Sequence, residues 1–167
     1  MAYLRALRDI VAERGIQNVL YVDESGFAAS SHRPYGWAAR GEKVYGERSG
    51  NARPRTSLIA ARRGKDFLAP MLFEGTAHTA LVNHWFEHQL IPELRPASTI
   101  IWDNAAFHNK ENLSDIAAKY GHFVLFLPRY SPDFSPIEHD FANLKKIRQY
   151  ASPNTTIDEI INMYNCC

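Results

Sequence analysis

Two aspartates and one glutamate carry the strongest chemical signal in the sequence. Asp23 closes the run Asn18-Val19-Leu20-Tyr21-Val22, and Asp103 closes Thr99-Ile100-Ile101-Trp102. Both runs are rich in β-branched and aromatic residues, so each reads as a strand that ends on a carboxylate. The rim of a sheet is where α/β proteins gather their ligands. If the two strands are neighbours, a spacing of about 4.8 Å brings both carboxylates within reach of one cation. A simpler part fits the same residues, because Asp-Glu-Ser-Gly and Asp-Asn are good turn formers, and spacing alone leaves both readings open. Glu138 is equally two-sided. Ser135-Pro136-Ile137-Glu138 is a capping-box sequence, with Ser135 as N-cap, Pro136 at the first helical position and Glu138 at the third. A carboxylate in the first turn of a helix is also rigidly held and can be aimed at a metal. On the face shared by Glu138, Ala142 and Lys145, the lysine then reaches toward a phosphate bound near the glutamate.

The elements that must position these residues follow from periodicity. Leu4, Leu7 and Val11 recur at helical spacing up to Gly15, giving a short leading helix that packs on something downstream. The strand ending at Asp23 is apolar on both faces, as a central strand is, and the turn-like Glu24-Ser25-Gly26 follows it. Tyr35 to Ala39 and Thr56 to Arg62 read as two further strands of an antiparallel meander, punctuated by Gly41, Gly46 and Gly50. Thr76 to Leu90 reads as an amphipathic helix stopped by Pro92. After the strand ending at Asp103, Leu113, Ile116, Ala117 and Tyr120 mark a helix closed by Gly121. Phe123 to Leu127 is the next strand. A long helix from near Pro136 to about Tyr150, with Ile137, Phe141 and Leu144 as its inward stripe, and a short one from Thr156 to Tyr164 complete the chain. Strands first and then alternating helix and strand predict an α/β domain with a mixed sheet and helices on both faces.

Composition narrows the class. The chain has 167 residues, 46% hydrophobic and 22% charged, which suits one folded domain and excludes disordered and fibrous classes. No apolar run approaches the roughly 20 residues that cross a bilayer. The two cysteines, Cys166 and Cys167, are adjacent and terminal, which fits a reducing, cytoplasmic compartment. Net charge is only +1, yet eight basic residues stand against two acidic ones between Arg40 and Lys65. Such a stretch suits either a solvated surface or a phosphate-rich partner.

Three blocks, Tyr-Val-Asp-Glu-Ser-Gly-Phe at 21–27, Trp-Asp-Asn-Ala-Ala-Phe-His at 102–108 and Leu-Pro-Arg-Tyr-Ser-Pro-Asp-Phe-Ser-Pro-Ile-Glu at 127–138, together resemble bacterial insertion-sequence transposases of the mariner-like DDE superfamily. The 34 residues between Asp103 and Glu138 match that family's spacing, and Gly36-Trp37 and Lys145-Lys146-Ile147-Arg148 are also similar. Ser135 and Phe141 stand where many relatives have Asn and Trp, and both substitutions keep the local role of a cap and a core filler. The resemblance implies an RNase H-like fold with a mixed five-stranded sheet, a leading helix or linker over 1–17 and a catalytic domain over 18–167. It also implies catalytic acids at Asp23, Asp103 and Glu138, with Asp23 bridging two divalent cations, Mg²⁺ or Mn²⁺, that cut and join DNA strands. Asn104 and His108 would tune the site from behind, unless each is a turn residue.

The implied partner is DNA, both transposon ends and target, contacted by Arg55, Arg62, Arg63, Lys145, Lys146 and Arg148 and held by a homodimer in a synaptic complex beside the nucleoid. Full-length relatives carry N-terminal helix-turn-helix domains, whereas about 17 residues precede the first catalytic strand here, so end recognition is expected to come from another polypeptide or reading frame, unless the chain is a fragment or a decayed copy. Two other functions share these residues: an RNase H-like nuclease without strand transfer, and a truncated chain that inhibits by binding DNA or full-length transposase. Other constellations carry less. His84 and His88 are four apart, as a zinc pair can be, but lie opposite the Leu81/Trp85 stripe on an exposed helix face. Ser25, Ser131 and His108 lack the Gly-x-Ser-x-Gly elbow of a hydrolase.

Overall fold

The computed structural model describes residues 2–27, 38–43, 55–103, 109–128, 135–152 and 154–165. In chain order they form α1 (Ala2–Arg14), β1 (Val19–Phe27), β2 (Thr56–Arg63), β3 (Asp66–Glu74), α2 (Thr79–Trp85), β4 (Thr99–Trp102), α3 (Lys110–Lys119), β5 (Phe123–Phe126), α4 (Ile137–Tyr150) and α5 (Ile157–Asn165). The five strands make one sheet in the order β3-β2-β1-β4-β5. β1, β2 and β3 meander antiparallel, while β4 and β5 join parallel to β1 and to each other through helical crossovers.

Alternation along β1 sorts the two faces. Leu20 and Val22 point into a core with Trp85, Phe86, Ile100, Trp102 and Leu113, under α2 and α3. Tyr21 and Phe27 point the other way, toward Ile137, Phe141 and Leu144 of α4 and Ile160 of α5. α1 covers the same second face further along, with Tyr3, Leu7 and Val11 packed on Val19, Ile101 and Leu127. The docking of the leading helix is as its periodicity predicts, except that Tyr3 rather than the half-exposed Leu4 completes the stripe.

Three expectations are corrected. Among the described residues the third meander strand is β3. Residues 35–37 lie outside the described residues, and Ala38 and Ala39 are not in a strand. Pro70 disguises β3, but β3 is a sheet edge and carries a bulge, where a proline costs least. There Ala60 stands against both Ala69 and Pro70, Ala69 turns to φ 46°, and its carbonyl accepts the Trp85 indole N–H at 2.8 Å. Second, β1 does not turn at Glu24 but runs on to Phe27, paired with β2 throughout. Third, the helix expected over Thr76 to Leu90 starts at Thr79 and widens into a π-helical turn over Phe86–Leu90. That turn lets Trp85 and Leu90, five apart, share the core.

Candidate active site

Val22 pairs with Trp102 as the last rung between β1 and β4. Asp23 is the next residue within β1 and Asp103 the first residue after β4, so both directly follow that last rung. Both are half-buried. Asp23 follows the alternation of Tyr21 within β1, which puts it on the face covered by α4. The Glu24 backbone N–H donates to Asp23 Oδ1 at 2.7 Å, which steadies that carboxylate. On its other side Asp23 faces Ala60 of β2, a fully buried residue that packs with Ile137 and Phe141.

Glu138 is in the first turn of α4, the helix lying over this part of the sheet, and its side chain is exposed. The capping arrangement differs from expectation. Pro136 occupies the N-cap position and contributes no side-chain bond, while the Glu138 N–H reaches the Ser135 carbonyl at 3.2 Å. The donor set is three carboxylates, all hard oxygen ligands of the kind Mg²⁺ and Mn²⁺ select. Among the described residues no three His, Cys, Asp or Glu side chains are close enough to hold a metal ion. Glu138 therefore joins the aspartates through its freely exposed side chain or not at all. Asn104 and His108 lie outside the described residues.

The basic residues divide. Lys145 and Lys146 are exposed on α4, and Arg148 is half-buried over the Phe27 ring, 5.7 Å from its centre. Burial pulls the Arg148 guanidinium below its ordinary pKa. Arg55 is exposed and lies against Gly26, where even a Cβ would come within 1.9 Å of the guanidinium. Arg62 and Arg63 are occupied internally. Arg62 bonds Asp140 at 2.5 Å and the Gly64 carbonyl at 2.9 Å, and Arg63 bonds Asp66 at 3.2 Å and the Glu93 carbonyl at 3.3 Å. His84 and His88 are exposed and their rings lie 4.5 Å apart.

Sequence reasoning passed over Asp140, which is 4% exposed. The signal was present: Ile137, Asp140, Phe141 and Leu144 follow the i, i+3, i+4, i+7 stripe of a buried helix face. A charged residue on such a stripe demands a partner.

A family model described as DDE superfamily endonuclease matches residues 18–161, and the chain belongs to that family. The fold is the RNase H-like fold of the mariner transposase catalytic domain. It superposes on the Mos1 mariner paired-end complex with Mn at a TM-score of 0.74 and 16% identity, covering 99% of this chain and 53% of that one. On the Mos1 strand transfer complex the values are 0.73 and 15%, covering 97% and 50%. On the Mos1 mariner transposase catalytic domain they are 0.65 and 14%, covering 99% and 78%. The chain thus spans about half the length of the Mos1 chains in the paired-end and strand transfer complexes. No curated protein matches the sequence.

Proposed function

We propose that this chain is a transposase catalytic domain that cuts and joins DNA strands with two divalent cations held by Asp23, Asp103 and Glu138. The observation that carries the reading is that Asp23 and Asp103 each directly follow the last rung between β1 and β4, Val22 with Trp102, while Glu138 lies in the first turn of α4. The family match and the resemblance of the fold to the Mos1 paired-end complex with Mn and the Mos1 strand transfer complex support it.

Bound divalent cations would supply activation of the entering oxygen and stabilisation of the leaving one. Asp23, Asp103 and Glu138 would hold such cations. In the first step a water oxygen bonds to phosphorus as the bond to the 3′-oxygen breaks, leaving a free 3′-hydroxyl. In the second that hydroxyl attacks a phosphodiester of target DNA, one ester bond forming as another breaks. No covalent enzyme intermediate is required. Lys145 and Lys146, exposed on α4 beyond Glu138, and Arg55 are suited to hold the DNA backbone. Two copies acting together on paired ends belong to the same reading.

The test is metal-dependent nicking and strand transfer on pre-nicked donor DNA. Asp103→Ala is expected to lose at least about a hundredfold in nicking, the scale of deleting a main transition-state contact. Wild-type activity in that variant would rule the assignment out, and nicking without joining by the unaltered chain would favour a nuclease.

A further inference from the structure

The one acid on the inward stripe of α4 is held from two sides. Arg62 of β2 donates Nη1–H to Asp140 Oδ2 at 2.5 Å, and the Tyr164 hydroxyl of α5 donates to Asp140 Oδ1. Phe67 of β3 packs edge-on against both Phe141, at 6.3 Å, and Tyr164, at 5.9 Å, walling the network with apolar surface. A strand and two helices therefore meet at one carboxylate.

Its place in the ladder gives this network a use. Arg62 is the β2 partner of Tyr21, and two residues away Ala60 is the partner of Asp23. Asp140 is two residues beyond Glu138 in the first turns of α4. The ion pair thus ties the strand beside Asp23 to the helix turn that carries Glu138. That turn needs an anchor, since its N-cap residue is a proline without a side-chain bond.

We propose that Asp140, gripped by Arg62 and Tyr164, is a positioning residue that sets the rotation and height of the first turn of α4 and so aims Glu138 at the Asp23–Asp103 pair. The proposal rests on the catalytic reading above. A buried ion pair is a poor device for stability, because apolar residues of similar volume often serve as well or better. It is a good device for register, because directional hydrogen bonds from the Arg62 Nη1–H and the Tyr164 hydroxyl hold over only a narrow range of helix positions, whereas an apolar contact lets the helix rotate.

The experiment replaces the pair by apolar residues, Arg62→Met with Asp140→Leu, and measures Mn²⁺ binding by electron paramagnetic resonance together with urea unfolding. The ion that depends on Glu138 is identified by its loss in Glu138→Ala. The double variant is expected to keep its stability yet bind that ion about tenfold or more weakly, as when the support of a ligand is removed, while the other ion is unaffected. In a Glu138→Ala background the same replacement is expected to add nothing. Unchanged Mn²⁺ affinity in the folded double variant, or an equal loss of the other ion, overturns the proposal. Should the double variant not fold, Tyr164→Phe decides: a severalfold loss confined to the Glu138-dependent ion supports positioning, and unchanged affinity overturns it. Wild-type protein that binds no Mn²⁺ overturns the catalytic reading itself, and this proposal with it.

Discussion

Val22 and Trp102 form the last rung between β1 and β4, and beyond them the two strands part company. β1 continues to Phe27 in pairing with β2, whereas β4 stops, leaving Asp103 at its end. Asp23 therefore stays within the β1–β2 ladder, whereas Asp103 lies just past the last rung of the β1–β4 ladder. This step in the sheet keeps one carboxylate within a ladder and sets the second just past the end of a strand.

The step depends on a small neighbour. Ala60 lies opposite Asp23 with its side chain on the same face, about 5 Å away between Cβ atoms. Ala60→Leu should cost about 1–3 kcal/mol through overpacking against α4 and weaken Mn²⁺ binding at the same time. Urea unfolding and metal titration on one sample check this, and undiminished Mn²⁺ affinity would mean that the space beside Asp23 is not part of the site.

Two groups of basic residues should behave differently. Replacing exposed Lys145 and Lys146 by alanine should lower the slope of log affinity for DNA against log salt by about 1.8, at roughly 0.9 per phosphate contact, with little change in stability. Arg62→Ala should instead destabilise by about 3 kcal/mol, the low end for a broken buried pair, since its side chain keeps 26% of its surface in water. Binding isotherms across a salt series and urea unfolding separate the two effects. An unchanged slope in the lysine variant would remove α4 from the DNA surface.

The docking of α1 should be readable in alkali. Burial, with Tyr21 nearby, pushes the Tyr3 hydroxyl from 10.0 up to about 12. Below pH 10 both folded and unfolded chains keep this proton and the contribution to stability is complete. As pH rises from 10 toward about 12 the unfolded chain releases the proton first, so stability is lost. Tyr3→Phe should flatten the fall of stability over that window. Identical slopes for the two proteins would show that Tyr3 is not buried in solution.

Much of the fold was legible because apolar period and punctuation agree. The β-branched runs before Asp23 and Asp103, the Gly121 terminator at φ 77° and the stripe Ile137, Phe141, Leu144 each specify an element locally. What was hidden depends on tertiary context. Pro70 argues against a strand until β3 is known to be an edge with a bulge, and Glu24-Ser25-Gly26 looks like a turn until β2 is there to pair with it. Asp140 resists local reading because its partners come from β2 and α5, 78 and 24 residues away. For the site, the sequence left open whether the strands before Asp23 and Asp103 are neighbours, which is set by the order of the sheet, and the reach of Glu138 depends on how α4 is seated.

The central claim is that these three carboxylates share metal ions. Crystals of the chain soaked in Mn²⁺ and measured at the manganese absorption edge test it most directly. The account predicts two anomalous peaks about 3.5–4 Å apart, both in contact with Asp23, one completed by Asp103 and the other by Glu138. No peak beside Asp23 and Asp103 at saturating Mn²⁺, or peaks that leave Glu138 without an ion, would contradict it.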